Sequence, residues 1–194
     1  RTQLAHMDWD QHLTVCLYRP FDFRYTLYTR EVVSILRMSI MKHLLGSGSS
    51  HRNLALITCR VINAEFPNHF FAANRPVEKI ALSSKTSNNA FVFPLYLLTT
   101  PEDAAGTLFA TTETTREPNL SQQFISTLKE KLDMLFVPDG RGDLQTSFGP
   151  EDIFHYMYAI FHSPTYRERY AEFLKLDFPR LPLTSDRALF KALA

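Results

Sequence analysis

The sequence predicts a mixed α/β fold, with a short-stranded sheet and one packed helix in its first half and a helical second half that contains an αα-hairpin. Three observations carry this prediction. Residues 1–98 alternate short β-branched and aromatic runs with one stretch of helical period. Residues 99–119 are rich in Thr, Glu, Pro and Ala and show no period. From residue 119 onward, helix start signals and apolar stripes recur. A chain of 194 residues with 45% hydrophobic content can bury one substantial core. The expected organisation is a mixed α/β portion over 1–98 and a loop plus helical portion over 99–194, packed as one unit.

Leu13 to Tyr18 and Arg24 to Tyr28 read as short strands, with Pro20 and Asp22 supplying the turn between them. Val32, Val33, Leu36, Ile40 and Leu44 recur at helical spacing, so Glu31 to Leu45 reads as a helix that ends in the linker Gly46-Ser47-Gly48-Ser49-Ser50. Leu54 to Val61, His69 to Ala72 and Lys79 to Leu82 are short apolar runs separated by Asn, Pro or Ser clusters, and read as strands. Phe91 to Leu98 is apolar but broken by Pro94, which fits an edge strand or one leading out of the sheet. Residues 99–119 read as an exposed loop.

Asn119 or Ser121 caps a helix reaching Leu135, with Phe124, Ile125, Leu128, Leu132 and Leu135 as its buried stripe. Asp139-Gly140-Arg141-Gly142-Asp143 reads as a turn. Pro150 at a first helical position, then Glu151 and Asp152, then Ile153, Phe154, Met157 and Ile160, predict a helix over 150–162. Ser163-Pro164 repeats the start signal for a second arm bearing Tyr166, Tyr170, Phe173 and Leu174. Pro179 and Pro182 keep residues 177–182 out of a helix, and Ser185 or Asp186 caps a last short one.

Several function classes find no support. No apolar run approaches the roughly 20 residues a membrane helix needs, and the first ten residues carry no signal-peptide core, so a soluble cytoplasmic protein is expected. Cys16 and Cys59 are far apart and read as reduced, buried thiols. Dinucleotide, phosphate-loop, zinc-protease and serine-hydrolase motifs are absent, and no catalytic residue, cofactor or metal site is assigned to this segment. Glu151, His155 and His162 share helical spacing, but a helix this aromatic favours core packing with hydrogen-bonded histidines.

Charge is distributed unevenly. Residues 1–98 hold 11 Lys plus Arg against 6 Asp plus Glu, giving +5, whereas residues 99–194 hold 10 against 14, giving −4. Arg24, Arg30, Arg37, Lys42, Arg52 and Arg60 fall in a stretch whose only acid is Glu31. Such a field attracts phosphates, although long basic side chains solvate an ordinary surface equally well.

Three stretches carry a resemblance: Tyr18-Arg19-Pro20-Phe21-Asp22-Phe23-Arg24-Tyr25-Thr26-Leu27-Tyr28, then Phe93-Pro94-Leu95-Tyr96-Leu97, then the run from Pro150 to Pro182. In order and spacing they resemble the carboxy-terminal specificity region of Type ISP restriction-modification enzymes. The resemblance implies a target-recognition domain for double-stranded DNA. It also implies upstream nuclease, translocase and adenine methyltransferase modules in the same polypeptide, the last a direct partner, which use S-adenosylmethionine, ATP and Mg²⁺. The alternative is a scaffold that docks those modules without reading bases.

In the first block, Tyr18, Phe21, Phe23 and Tyr25 are expected to anchor a turn to the sheet while Asp22 orients Arg19 or Arg24. The remaining alternative there is Arg24 as a phosphate contact. Base readout needs paired donors and acceptors on protruding backbone. Ser84, Lys85, Thr86, Asn88 and Asn89, in a polar loop between two expected strands, are the first candidates, and the loop Gly46 to Asn53 is the second.

Overall fold

The computed structural model describes residues 7–33, 36–45, 53–61, 69–82, 89–104 and 113–194. A single turn, α1 (Trp9–His12), leads into the antiparallel pair β1 (Leu13–Arg19) and β2 (Asp22–Leu27). Pro20 presets the first turn position, and Phe21 takes the second at φ 64°, a left-handed conformation that glycine would favour. Among the described residues an isolated β-bridge joins the hairpin to residues 76–78. Leu17 N–H donates to the Pro76 carbonyl (2.8 Å) and Glu78 N–H donates to the Leu17 carbonyl (3.0 Å).

Two expected elements are corrected here. The helix over 31–45 shrinks to α2 (Met38–Met41), followed by turns that reach Leu45. Upstream of it the Thr29 carbonyl accepts from Val32 and Val33 N–H in a turn; the β-branched pair favours such a break, and Val32 is left exposed. The strand over 79–82 is instead a turn, because the Glu78 carboxylate and carbonyl accept from Ile80 N–H and Ala81 N–H. Strand pairing in this stretch occurs earlier, at Val77.

β3 (Ala55–Thr58) lies between β4 (Phe70–Ala73) and β5 (Phe91–Pro94), all antiparallel. Pro94 sits where the edge strand ends. The chain continues directly into β6 (Tyr96–Thr99), which leaves for a second sheet with β7 (Thr115–Pro118). The stretch 99–119 is therefore not a plain loop, since it holds α3 (Pro101–Ala104) and β7. In β7 only alternate residues are partly buried and most are polar, so no apolar run announces it.

α4 (Gln122–Leu132) is capped by Ser121, whose Oγ accepts from Phe124 N–H at 3.2 Å. Ile125, Leu128 and Leu132 are buried, but Leu135 is exposed: Asp133 turns left-handed at φ 48° and ends the helix. Two parallel fragments follow, β8 (Leu135–Phe136) and β9 (Ser147–Phe148). α5 (Pro150–His162) and α6 (Pro164–Arg169) form the expected hairpin around Ser163, and the second arm resumes as α7 (Ala171–Leu176) after a break at Tyr170. α8 (Arg187–Leu193) is capped by Asp186, which accepts from Ala188 and Leu189 N–H.

β3 organises the core by alternation. Ala55 and Ile57 face a cluster with Leu17, Met41, Leu44, Val77 and Val92, whereas Leu56 faces Phe70, Leu95, Phe154, Phe161 and Leu174. A third cluster joins Leu128, Leu132, Phe148, Ile153, Tyr156 and Phe190. Fully burying each such side chain stabilises the fold by roughly 1.5–3 kcal/mol. The extended 177–182 stretch is held by hydroxyls: Tyr166 donates to the Arg180 carbonyl (2.8 Å) and Tyr156 to the Pro182 carbonyl (2.9 Å). The aromatic-rich Pro150 to Pro182 block thus serves packing.

Candidate nucleic-acid interface

Most of the basic residues of the 24–60 stretch have partners within the chain. Lys42 pairs with Asp103 at 2.9 Å, Arg60 with Asp177 at 3.2 Å, and Arg24 with Asp22 at 2.9 Å. Arg37 donates to the Ala90 carbonyl at 3.3 Å. Arg30 is exposed and has no ion pair among the described residues. The Lys42 ammonium, with the Thr100 N–H, holds the Asp103 carboxyl below the usual range, and the Phe178 N–H, with the Arg60 guanidinium, does the same for Asp177. Arg52 lies outside the described residues.

The β1–β2 hairpin has two chemically different faces because side chains alternate along each strand. On one face Asp22 accepts from Arg24 Nε and Nη2, and the Arg24 guanidinium sits 4.0 Å from the centre of the Tyr18 ring. Arg19 lies 4.1 Å from the same ring and pairs with Glu78 at 2.9 Å. Asp22 therefore orients Arg24, while Arg19 is engaged elsewhere. An open cleft of about 270 Å³ adjoins this face, lined among others by Cys16, Tyr28, Arg37, Glu78 and Lys79. The other face corrects an expectation. Phe21, Phe23 and Tyr25 do not anchor the turn to the sheet; they are 87%, 54% and 77% exposed. Their exposure leaves no signature in a sequence, where an aromatic strand residue reads as core.

Of the first candidate loop, Ser84, Lys85, Thr86 and Asn88 lie outside the described residues, and Asn89 is exposed. Of the second, only Asn53 is described, and it is no reader of bases. It is buried, donating from Nδ2 to the His43 and Tyr96 carbonyls and accepting the Tyr96 N–H on Oδ1. That bond set pins β6 to the end of α2. His43 completes the clip by accepting Leu98 N–H on Nδ1 at 2.9 Å, and its burial lowers its basicity.

A second polar centre went unread in the sequence. Asp152, fully buried at the third position of α5, accepts from Arg141 Nε (2.8 Å), Gly142 N–H (2.7 Å) and Gly149 N–H (2.9 Å). The Arg141-Gly142-Asp143 tripeptide is a turn built for this: Asp143 accepts from the N–H groups of Gln145, Thr146 and Ser147, which hold its carboxyl far below the ordinary range. Neither centre suits chemistry on a substrate.

No group of His, Cys, Asp and Glu among the described residues is arranged to hold a metal ion. His155 contacts the Ala194 carbonyl, while His162 contacts the Phe70 carbonyl and the Arg167 guanidinium. Burial raises both thiols, Cys59 to about 11. Among the described residues no helix is long and apolar enough to cross a membrane.

Comparison with known proteins gives this geometry its family. Curated proteins yield no match. Among the solved structures that share the fold are the following two. One is the cryoEM structure of a DrdV–DNA complex, with TM-score 0.65, 22% identity, and coverage of 94% of this chain and 15% of that one. The other is a nuclease-deletion mutant of the Type ISP restriction-modification enzyme LlaGI in complex with a DNA substrate mimic, with TM-score 0.56, 19% identity, and coverage of 93% and 13%. The chain thus spans a small fraction of either protein. The family described as the Type ISP C-terminal specificity domain matches residues 1–194. This chain belongs to the Type ISP C-terminal specificity domain family.

Proposed function

We propose that this chain recognises a specific duplex DNA sequence on behalf of nuclease, translocase and adenine methyltransferase modules carried by a longer polypeptide. The observation that carries the reading is the match of the specificity-domain family over the whole chain. Two proteins solved as DNA complexes share its fold, which supports duplex DNA as the partner. S-adenosylmethionine, ATP and Mg²⁺ would serve the other modules, and the reaction would take place in the cytoplasm, where the DNA is. Within this chain, exposed Arg30 is the cation best placed for phosphates, since Arg24 is already paired with Asp22, and the polar stretch ending at Asn89 is the best candidate for base edges.

The test is an exchange in the full polypeptide. Residues 1–194 are replaced by the corresponding region of a relative with a different target, and methylated adenines are mapped by sequencing. Methylation should move to the donor's site. If it stays at the original site, specificity resides elsewhere and the scaffold reading takes its place.

A further inference from the structure

We propose, building on the preceding reading that the chain binds duplex DNA, that Phe21 at the tip of the β1–β2 hairpin is a wedge that enters the duplex between two neighbouring base pairs and unstacks them. The tip is the turn from Arg19 to Asp22, the two residues that face each other where the ribbon closes. Pro20 fixes its second position, and Phe21 takes the third at φ 64°. A turn of that kind calls for glycine or asparagine at the third position. Phenylalanine is strained there, yet its ring is 87% exposed and meets, among the described residues, only the edge of Phe71. The backbone gains nothing from this residue and the core gains little, so the use of the ring lies outside the domain.

The tip is also held stiffly. Asp22 accepts from Arg24 Nε at 3.1 Å and Nη2 at 2.9 Å, and the Arg24 and Arg19 guanidiniums lie 4.0 Å and 4.1 Å from the centre of the Tyr18 ring. A ring carried on a preorganised turn loses little conformational entropy when it inserts. Apolar side chains driven into a base step, phenylalanine among them, kink the duplex, and the cost of unstacking is offset by the contacts that the bent DNA makes with the protein.

Charge favours DNA over a second protein surface as the occupant. On the Tyr18 side of the hairpin, Arg19 is paired with Glu78 and Arg24 with Asp22. Arg37 and exposed Lys79 remain, neither with an acid partner among the described residues. Both line the cleft beside Cys16, the residue that faces Arg24 across the ribbon, so this side keeps a positive surplus for phosphates. The opposite side carries Phe23 and Tyr25, 54% and 77% exposed and roughly 7 Å apart along the strand. A ribbon that enters a groove tip-first turns one side to each wall, its cations to phosphates and its two rings to the apolar carbons of deoxyribose. The core of a protein interface, by contrast, is depleted of charge.

The experiment uses the full polypeptide and the cognate duplex taken from its methylation map, with a fluorescent base analogue placed at each position in turn. The wild type should brighten a base step that stays quenched with Phe21→Gly, whereas Phe21→Leu, still an apolar wedge, keeps the signal. Phe21→Gly should bind the duplex about 10-fold more weakly. Its salt dependence should be unchanged because no charge is lost, and its thermal unfolding should come no earlier, because glycine relieves the left-handed position. A mismatch at the brightened step, already partly unstacked, should recover most of the lost affinity. The same fluorescence pattern in wild type and Phe21→Gly, or a weaker affinity that comes with earlier unfolding, would overturn the wedge. Equal affinity of the two for the duplex would also overturn it and hand the aromatic tip to a protein surface. A wild type that binds no duplex would overturn the DNA reading itself, so the two failures are told apart.

Discussion

Replacing Asp152 by Asn tests whether the buried carboxylate organises the junction between the 140–149 turn and α5. The carboxylate is fully buried and faces three donors at 2.7–2.9 Å, one of them a guanidinium. An amide of the same shape offers one acceptor oxygen and points N–H groups at donors with the other end. Hydrogen bonds to a charged group contribute roughly 1.5–3 kcal/mol each, and removing one partner of a buried ion pair costs about 3–5 kcal/mol. A loss of about 4 kcal/mol is expected, because Arg141 is half exposed and can turn to water. For a chain of this length each kcal/mol moves the midpoint about 2–4 °C, so Tm should fall by roughly 10 °C. Thermal and urea unfolding of Asp152→Asn are compared with Glu151→Gln, a neighbour whose side chain accepts no hydrogen bond among the described residues. Equal midpoints for the two variants would show that the carboxylate is dispensable.

Two further outcomes follow from the same structure. At Gly142 a Cβ would lie 2.4 Å from the Ser147 carbonyl carbon and oxygen, whereas at Gly140 it meets nothing within 4 Å and only the left-handed φ opposes it. Gly142→Ala should therefore lower the urea midpoint clearly more than Gly140→Ala, and the reverse order would count against the packing. Burial holds His43, His69 and His162 below the ordinary histidine value, so the unfolded chain takes up these protons first as pH falls through about 6.5. Tm should fall from pH 7.5 to 5.5, less steeply in His43→Asn, while the Asp139 and Asp177 contributions are lost only below about pH 4; a Tm that is flat or rises on acidification would contradict the sign.

The parts of the fold that could be read from sequence are those in which local chemistry and tertiary packing agree. α5 and α6 each begin with proline, and α5 follows it with two acids and an apolar stripe, so propensity and burial point the same way. Residues 31–45 show the opposite case. Part of their apolar period is real, since Leu44 is buried, but Val32 and Val33 are weak helix formers that lie in a turn, and Val32 is exposed. β7 was illegible because an edge strand with polar residues on its open side has no apolar run to show. The hairpin misleads for a related reason. A sequence records that Phe21, Phe23 and Tyr25 are aromatic, not whether their burial comes from this chain or from another surface.

Charge was the least transferable signal, and the reason sets the final prediction. The positive excess of the first half suggested a field, yet Lys42 and Arg60 are answered by Asp103 and Asp177, acids from the negative second half that no local count could pair with them. A cation already beside a carboxylate brings little net charge to a phosphate, whereas exposed Arg30 brings a full one. Arg30→Ala should therefore flatten the dependence of log K on log salt by about one unit, with smaller changes for Lys42→Ala and Arg60→Ala. All three should weaken cognate and scrambled duplexes alike, because a phosphate contact carries no base information. Asn89→Ala should act only on the cognate duplex, at about 1–3 kcal/mol if it holds one base by a bidentate pair. Titrations of matched duplexes at several salt concentrations separate the cases. A slope that responds to Lys42 or Arg60 as strongly as to Arg30 would mean that DNA displaces their carboxylate partners.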